Sequence, residues 1–347
     1  MFTHKIKYLY FALGVLAIGC QQQKTPIKTA EKSITIAIDD RVELLRVAYF
    51  LALEDSIDVD LKPCYTDFYQ RNFEPYKKYK NHPLVQKIRT GDEWNADLPT
   101  IALCLDKYLQ PKDSLPQKEL IQQFGWYGAH LDSLSKLLID FKKTIKFSNS
   151  YNVNFKPFLD AITASQIPEK LHQFFRTDKK TNLHILFDPL NRITNKAITF
   201  TNNPKNERLF LITYLCDQPN DTVKPLHLRW NEDYRRIVIH ENTHMYTNEF
   251  FSKYYDNTFD SIVHQEKFKD TYHDIDEIMV RGITAKILAL NYGKSVGDEE
   301  IKHQPKLSKM VYDDLERYTT NNQMPFEKIY KVIIDDLRTH FLTADNE

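Results

Sequence analysis

Apolar residues recur every three or four positions along most of this 347-residue chain, with polar residues between them. This spacing places the apolar residues on one face of a helix, so the pattern predicts helices rather than strands. The segments with the clearest helical spacing are 42–53, 68–79, 117–125, 132–145, 168–175, 307–318 and 326–341. Helix is therefore the predicted main element of the fold.

Short β-rich runs interrupt this helical pattern in two places. Residues 33–38 alternate between apolar and polar positions, as a half-buried strand does. Three further runs, 183–187, 197–201 and 209–214, are separated by Asn and Pro residues that favour turns. All three precede a long helical segment, 234–255. We therefore expect an α+β fold, predominantly helical, with a small sheet flanking this long helix.

The 234–255 segment contains an H-E-x-x-H motif, His240-Glu241-Asn242-Thr243-His244. Asn231 is a suitable N-cap for the helix, which contains no Gly and no Pro. His240 and His244 are four residues apart and lie on one face, where two imidazoles can hold a metal ion. Glu241 then stands beside the water that such an ion binds. The alternative is an ordinary amphipathic helix whose histidines face solvent.

A catalytic zinc site normally takes three protein ligands, so a third residue is needed. A later helix is predicted from about residue 274 to 291, ending near Gly293, and Glu277 on it is the best candidate. Glu277 can instead pair with Arg281 on the helix surface, and the two roles can coexist because Arg281 can orient the ligand. We interpret Asp274 and Asp276 as helix-capping residues. The remaining competitors among the acids are Glu249 and Glu266.

These residues resemble the gluzincin type of zinc metallopeptidases. They resemble more closely an uncharacterised group of exported or lipid-anchored H-E-x-x-H zinc hydrolases of Gram-negative bacteria. The resemblance rests on 239–244 with Asn248 one turn later, and on 277–281. It extends more weakly to 42–45, 73–76, His82-Pro83 and the C-terminal helices. It implies a zincin-like metallopeptidase core.

The predicted function is a zinc-dependent peptidase. One Zn²⁺ ion bound by His240, His244 and Glu277 would activate a water, with Glu241 as the general base. Better-known gluzincins carry Asp where this chain has Arg281, so analogy does not identify the hydrogen-bond partners of the histidines. The candidates for supporting the ligands or stabilising the oxyanion are Asn248, Tyr272, His273, Arg281 and Tyr292. The alternatives are a zinc hydrolase of a non-protein amide and a catalytically silent surface lipoprotein that acts as a binding module.

The first twenty residues predict export. Lys5 and Lys7 precede an apolar run at 8–18, and Cys20 follows a small residue. We interpret 1–19 as a lipoprotein signal peptide, with Cys20 as the lipidated first residue of the mature protein. A plain signal peptide or a short anchor is the alternative. The polar segment 20–32 is typical of a flexible tether, and Gln21 after Cys20 favours the bacterial outer membrane as the destination.

Composition narrows the remaining possibilities. Near residue 180, helical spacing gives way to short β-rich runs. This change separates a mainly helical region, 33–180, from a predicted zincin-like catalytic region, 181–347, and the two regions can form one domain. Basic and acidic residues number 47 each, so we expect no nucleic acid partner, and the chain has no nucleotide-binding motif. The expected partners are a peptide or protein substrate and the membrane. The cysteines after Cys20, which allow at most one disulfide, are Cys64, Cys104 and Cys216.

Overall fold

A four-stranded mixed sheet lies at the centre of the computed structural model. The model describes residues 34–54, 62–91, 97–112, 117–148, 151–177, 181–198, 207–216, 223–264 and 274–343. The predicted signal peptide and tether, including Cys20, lie outside these residues, and so do Tyr272, His273 and Glu266. Among the residues described, no helix has both the length and the apolar character needed to cross a membrane.

The strands of this sheet are β1 (Ile34–Ala37), β2 (Asn182–Asp188), β3 (Lys196–Ala197) and β4 (Glu207–Thr213). Their order across the sheet is β1-β2-β4-β3. Strands β1, β2 and β4 are parallel, whereas β3 pairs antiparallel with β4. The predicted strand at 197–201 begins as expected, and its part beyond residue 198 lies outside the described residues. The strand order places β3 at one edge of the sheet.

Both faces of the sheet are covered by helices. Successive side chains of a strand point to opposite faces, and β4 shows the consequence. Phe210 and Ile212 join one hydrophobic core, which contains the C-terminal helices and the two helices Lys156–Ala164 and Ile167–Phe175. Leu211 joins a second core, which contains the helices between residues 40 and 145. The continuous apolar character of β4 thus reflects burial on both sides.

The helices before β2 are α1 (Asp40–Leu53), α2 (Asp67–Asn72), α3 (Pro83–Arg89), α4 (Gln117–Ala129), α5 (Leu131–Ile145), α6 (Lys156–Ala164) and α7 (Ile167–Phe175). Two 3₁₀ helices, Glu74–Tyr79 and Leu98–Cys104, lie among them. The predicted helix 68–79 is divided, since Pro75 lacks the N–H that would continue α2. Gly125, at φ 49°, kinks α4, and the helix then continues beyond the predicted end at residue 125.

The helices after β4 are α8 (Glu232–Tyr254), α9 (Asn257–Val263), α10 (Ile275–Tyr292), α11 (Lys294–Lys302), α12 (Lys306–Asp314), α13 (Glu316–Thr319) and α14 (Phe326–Thr343). The fold is mostly helical with a small mixed sheet, as predicted. A disulfide joins Cys64 to Cys216, in agreement with the predicted limit of one bridge, and Cys104 is a buried free thiol.

Candidate metal centre

Helix α8 carries the H-E-x-x-H motif and is fixed to the sheet near both ends of the motif. Its N-cap is Asn231, whose side chain accepts from the Tyr234 backbone N–H at 2.9 Å, as predicted. The Tyr234 hydroxyl donates to the Thr213 carbonyl at the end of β4, at 3.2 Å. On the C-terminal side of the motif, the Arg208 guanidinium of β4 donates to the Met245 carbonyl. These contacts fix the rotation of α8 and thus the direction of its polar face.

Helix α10 brings Glu277 to the same place. Asp274 caps this helix by accepting from the Glu277 backbone N–H at 3.1 Å, and Gly293, at φ 109°, ends it. Buried residues such as Ile278 and Met279 hold α10 in the core that α8 shares. Glu277 lies in the first turn of α10, and its side chain reaches His244 on the polar face of α8.

The atoms of His240, His244 and Glu277 converge on one small region. The His244 Nε2 atom lies 3.2 Å from His240 Nε2 and 3.1 Å from Glu277 Oε1. The His240 Nε2 atom lies 3.5 Å from Glu277 Oε2. One ligand atom from each residue lies within 4.8 Å of the other two, so the group can hold a metal ion. This is the ligand set that the sequence predicted.

Asp276 supports this group in a way that the sequence analysis missed. Its Oδ2 atom lies 2.9 Å from His244 Nδ1, so our interpretation of Asp276 as a capping residue is wrong, whereas that of Asp274 is confirmed. A carboxylate at Nδ1 fixes the ring and leaves Nε2 free to act as a metal ligand. Asp276 directly precedes the predicted ligand Glu277 in the sequence, and this position could have indicated its role.

The charges in this group favour a cation among them. Burial disfavours the His244 imidazolium, but hydrogen bonds to Asp276 and Glu277 outweigh burial and raise the pKa of His244 to about 10. Burial also opposes ionisation of Glu277, but His240 and His244 hold the pKa of this carboxyl well below its ordinary value. A metal ion can replace the proton that these groups otherwise share.

Glu241 has the environment expected of a base. Its side chain borders the cavity described below, yet the residue is only 5% exposed. Burial raises the pKa of Glu241 above its ordinary value, while His240, His244 and the Ala197 backbone N–H partly oppose this rise. A carboxylate with a raised pKa is a stronger proton acceptor than an exposed one.

Arg281 holds Glu277 from the side away from His244. Its Nε atom donates to Glu277 Oε2 at 3.0 Å, and its Nη1 atom donates to Gln304 Oε1 at 3.0 Å. The Gln304 amide in turn donates to Glu300 Oε1 at 2.7 Å. Glu277 therefore belongs to the group that can hold a metal ion and is also the partner of Arg281, so the geometry permits both predicted roles.

A cavity of about 520 Å³ opens beside this group. Its residues come from α8, α10, α11 and the turn between β2 and β3. The cavity is lined by Ile193, Thr194, Asn195, Arg236, Ile237, His240, Glu241, Glu277, Arg281, Thr284, Glu300 and Gln304. Arg236 and Glu300 are functional candidates that the sequence analysis did not select. The signal for Arg236 was its position four residues before His240.

The other predicted candidates lie elsewhere. Asn248 is half-buried one turn beyond His244 and is not among the residues that line the cavity. Tyr292, at the end of α10, packs its ring against Arg235 and Lys170, at 4.2 and 4.3 Å from the two cations. Glu249 is exposed. Arg281 is thus the oxyanion candidate that borders the cavity in the described part of the chain.

Comparisons of the chain with protein-family models, with curated proteins and with solved structures found no match. The resemblance to gluzincins therefore stays a prediction based on 239–244 and 277–281. The structure contributes a separate observation, because it brings His240, His244 and Glu277 together from two helices that are distant in sequence.

Proposed function

We propose that this protein is a zinc-dependent hydrolase, and specifically a metallopeptidase with Glu241 as its general base. The observation that carries the proposal is the position of Glu241. This buried carboxylate directly follows His240 of the His-His-Glu group in sequence and borders the same cavity as His240 and Glu277. A purely structural metal site needs no base at this position.

The residues present fit a catalytic zinc ion. Two imidazoles and one carboxylate form a common set of protein ligands for catalytic zinc, in which a further position is left for water or substrate. His240, His244 and Glu277 would hold the ion, which supplies a water of lowered pKa and a Lewis acid for the scissile carbonyl. Asp276 would keep His244 in the tautomer that binds metal, and Arg281 would orient Glu277.

Glu241 would accept the proton of the attacking water and deliver it to the leaving nitrogen. Burial raises the pKa of Glu241 and so strengthens it as the proton acceptor in the first of these steps. Arg281 is the proposed donor to the oxyanion, since its guanidinium borders the cavity and is fixed by Glu277 and Gln304.

The edge strand β3 favours a peptide over a small amide as the substrate. Strand β3 lies at the margin of the sheet, and the Ala197 backbone N–H interacts with the Glu241 carboxylate. An extended peptide can bind to an edge strand through backbone hydrogen bonds. In this proposal, the sheet and α8 form a zincin-like core, and β3 holds the substrate alongside the base.

The test compares wild-type protein with Glu241→Gln on a peptide library, with zinc content measured for both. We expect about one zinc ion per chain in each, and cleavage reduced roughly 10²–10⁴-fold in the variant. Glu277→Ala should lose zinc, whereas Glu249→Ala, on the exposed side of α8, should retain it. Zinc binding without peptide cleavage by the wild type would transfer the assignment to an amide hydrolase or a binding module. Equal cleavage by wild type and Glu241→Gln would remove the proposed base.

We also propose that the protein is exported and attached to the outer membrane through a lipid on Cys20. The Cys64–Cys216 disulfide supports export, because disulfides persist mainly in oxidising compartments. Radiolabelled palmitate should be incorporated into the wild type and not into Cys20→Ser. Equal labelling of the two proteins would contradict the proposed anchor.

A further inference from the structure

Arg236 lies in the same cavity as the candidate metal centre. It precedes His240 by four residues on α8 and therefore shares its face of the helix. The two residues are separated by one turn, or about 6 Å along the helix axis. The Arg236 side chain is 44% exposed and lines the cavity with His240, Glu241 and Glu277.

The ion pairs of Arg236 leave its donors available. Among the described residues, its guanidinium lies 3.8 Å from Glu300 Oε2 and 3.7 Å from Asp233 Oδ1, beyond hydrogen-bond distance in both cases. The contrast with Arg281 is clear, since Arg281 makes hydrogen bonds of 3.0 Å to Glu277 and to Gln304. A guanidinium has five N–H donors, arranged to bind a carboxylate through two parallel hydrogen bonds.

Glu300 positions the Arg236 side chain and is not itself proposed to bind a ligand. Its side chain is only 16% exposed, and its Oε1 atom already accepts from Gln304 at 2.7 Å. Glu300 is thus held in place, where its charge keeps the Arg236 guanidinium near the cavity. Among the described residues, the Arg236 guanidinium therefore keeps unused donors at this end of the cavity, and Glu300 Oε2, at 3.8 Å, is a charged neighbour that accepts none of them.

The balance of charge in the cavity favours an anionic group on the substrate. Arg236 and Arg281 balance the charges of Glu277 and Glu300. With a divalent cation at the metal centre, the residues that line the cavity would carry a net positive charge even when Glu241 is ionised. Asp276 and Asp233 lie behind His244 and Arg236 and are not lining residues. A positive, partly enclosed site attracts a carboxylate.

We propose that Arg236 binds a carboxylate of the substrate close to the scissile bond. This inference rests on the proposed peptidase function. Each residue of an extended peptide spans about 3.3 Å, so one helical turn corresponds to roughly two substrate residues. The carboxylate comes either from the C-terminus of a peptide or from an Asp or Glu side chain within about two residues of the bond. Arg236 is thereby a specificity-determining residue.

The test uses two pairs of matched peptides. One pair ends in a free carboxylate or in an amide, and the other carries Glu or Gln near the scissile bond. For Arg236→Gln, kcat/KM should fall roughly 10–100-fold for the carboxylate member of one pair, because a charge-assisted hydrogen-bond pair is lost. The neutral member should change less than about 2-fold. Arg236→Lys should recover part of the discrimination, and Arg317→Gln, an exposed arginine away from the cavity, should leave it unchanged.

Binding provides a readout that does not depend on cleavage. The Glu241→Gln protein loaded with zinc should bind the carboxylate peptide more tightly than its neutral partner in a calorimetric titration. Adding Arg236→Gln should abolish this difference. If the difference is absent, or survives the loss of Arg236, the inference is overturned. If it depends on Arg236 while the wild type cleaves no peptide, carboxylate binding by Arg236 is supported and the peptidase proposal fails. The peptide pair whose two members differ in binding shows whether the carboxylate comes from the C-terminus or from an acidic side chain.

Discussion

Two polar clusters lie on opposite faces of the central sheet, and they differ in their access to a ligand. The first cluster, which we call the buried cluster, consists of Glu43, Arg46 and Asp188. The second is the candidate metal centre between α8 and α10. Both combine carboxylates with a basic side chain, but the metal centre borders a cavity, whereas the residues of the buried cluster have almost no solvent exposure.

All three residues of the buried cluster are buried. Arg46 donates from Nε to Asp188 Oδ2 at 2.8 Å, and the two side chains are 0% and 1% exposed. Glu43 is also buried, and its Oε1 atom accepts no hydrogen bond from the described residues. Burial, followed by the charge of Asp188, raises the pKa of Glu43 well above its ordinary value, so we expect Glu43 to be neutral. This cluster holds α1 to the end of β2.

The metal centre shows the opposite arrangement. The side chains of His240, His244 and Glu277 are 20%, 14% and 25% exposed, and their inner atoms face one another. Asp276 contacts His244 at Nδ1, and Arg281 contacts Glu277 Oε2 while also bordering the cavity. The comparison shows that buried charge alone does not indicate function. The metal centre is distinguished by converging ligand atoms, a cavity beside them and a base at its edge.

The largest expected effect is a loss of stability when the buried cluster, which we interpret as structural, is broken. Arg46→Met should lower the free energy of unfolding by about 3–5 kcal/mol, because Asp188 is left buried without its partner. Urea denaturation at pH 7 measures this change. The matched variant Arg71→Met, which breaks the exposed ion pair with Asp67, should change stability by less than about 1 kcal/mol. Equal effects of the two variants would contradict the structural role of the Arg46–Asp188 pair.

A smaller effect is expected at the metal centre, and it concerns metal affinity. Asp276→Asn should weaken zinc binding roughly 10–100-fold, because the carboxylate that orients His244 is lost. Competition with a zinc-binding dye measures the affinity. Asp274→Asn is the control, since Asn preserves the helix cap while removing a nearby charge. If both variants lose affinity equally, the contact with His244 is not responsible.

The third prediction concerns how the stability of the folded protein depends on pH through Glu43 of the buried cluster. The pKa of Glu43 is higher in the folded than in the unfolded protein, so folded Glu43 retains its proton above pH 4.5. Its contribution to stability therefore falls as pH rises from about 4.5 toward the folded pKa, by at most about 1.4 kcal/mol per pH unit. Glu43→Gln should remove this fall in stability above pH 4.5, measured by urea denaturation at a series of pH values. A constant difference between wild type and variant would show that Glu43 is ionised in the fold.

Local sequence signals predicted most of the secondary structure. Asn231 and Asp274 have side chains that cap helices, and both cap the helices of the metal centre. The prediction was less accurate where backbone chemistry interrupts a pattern, as at Pro75 and Gly125. Apolar spacing follows the face of a helix, but it does not register a missing N–H or an unusual backbone angle.

The sequence alone determined how the two histidines and Glu241, the proposed base, are placed relative to one another, because the spacing of His240, Glu241 and His244 fixes their positions on any helix. It also selected Glu277, whose membership in the group the structure confirms. Only the tertiary structure decided that Asp276 supports His244 and that Arg236 faces the same cavity as Glu277. These contacts join different helices, and their geometry depends on how α8 and α10 pack in the shared core. The pattern of a single helix contains no information about this packing.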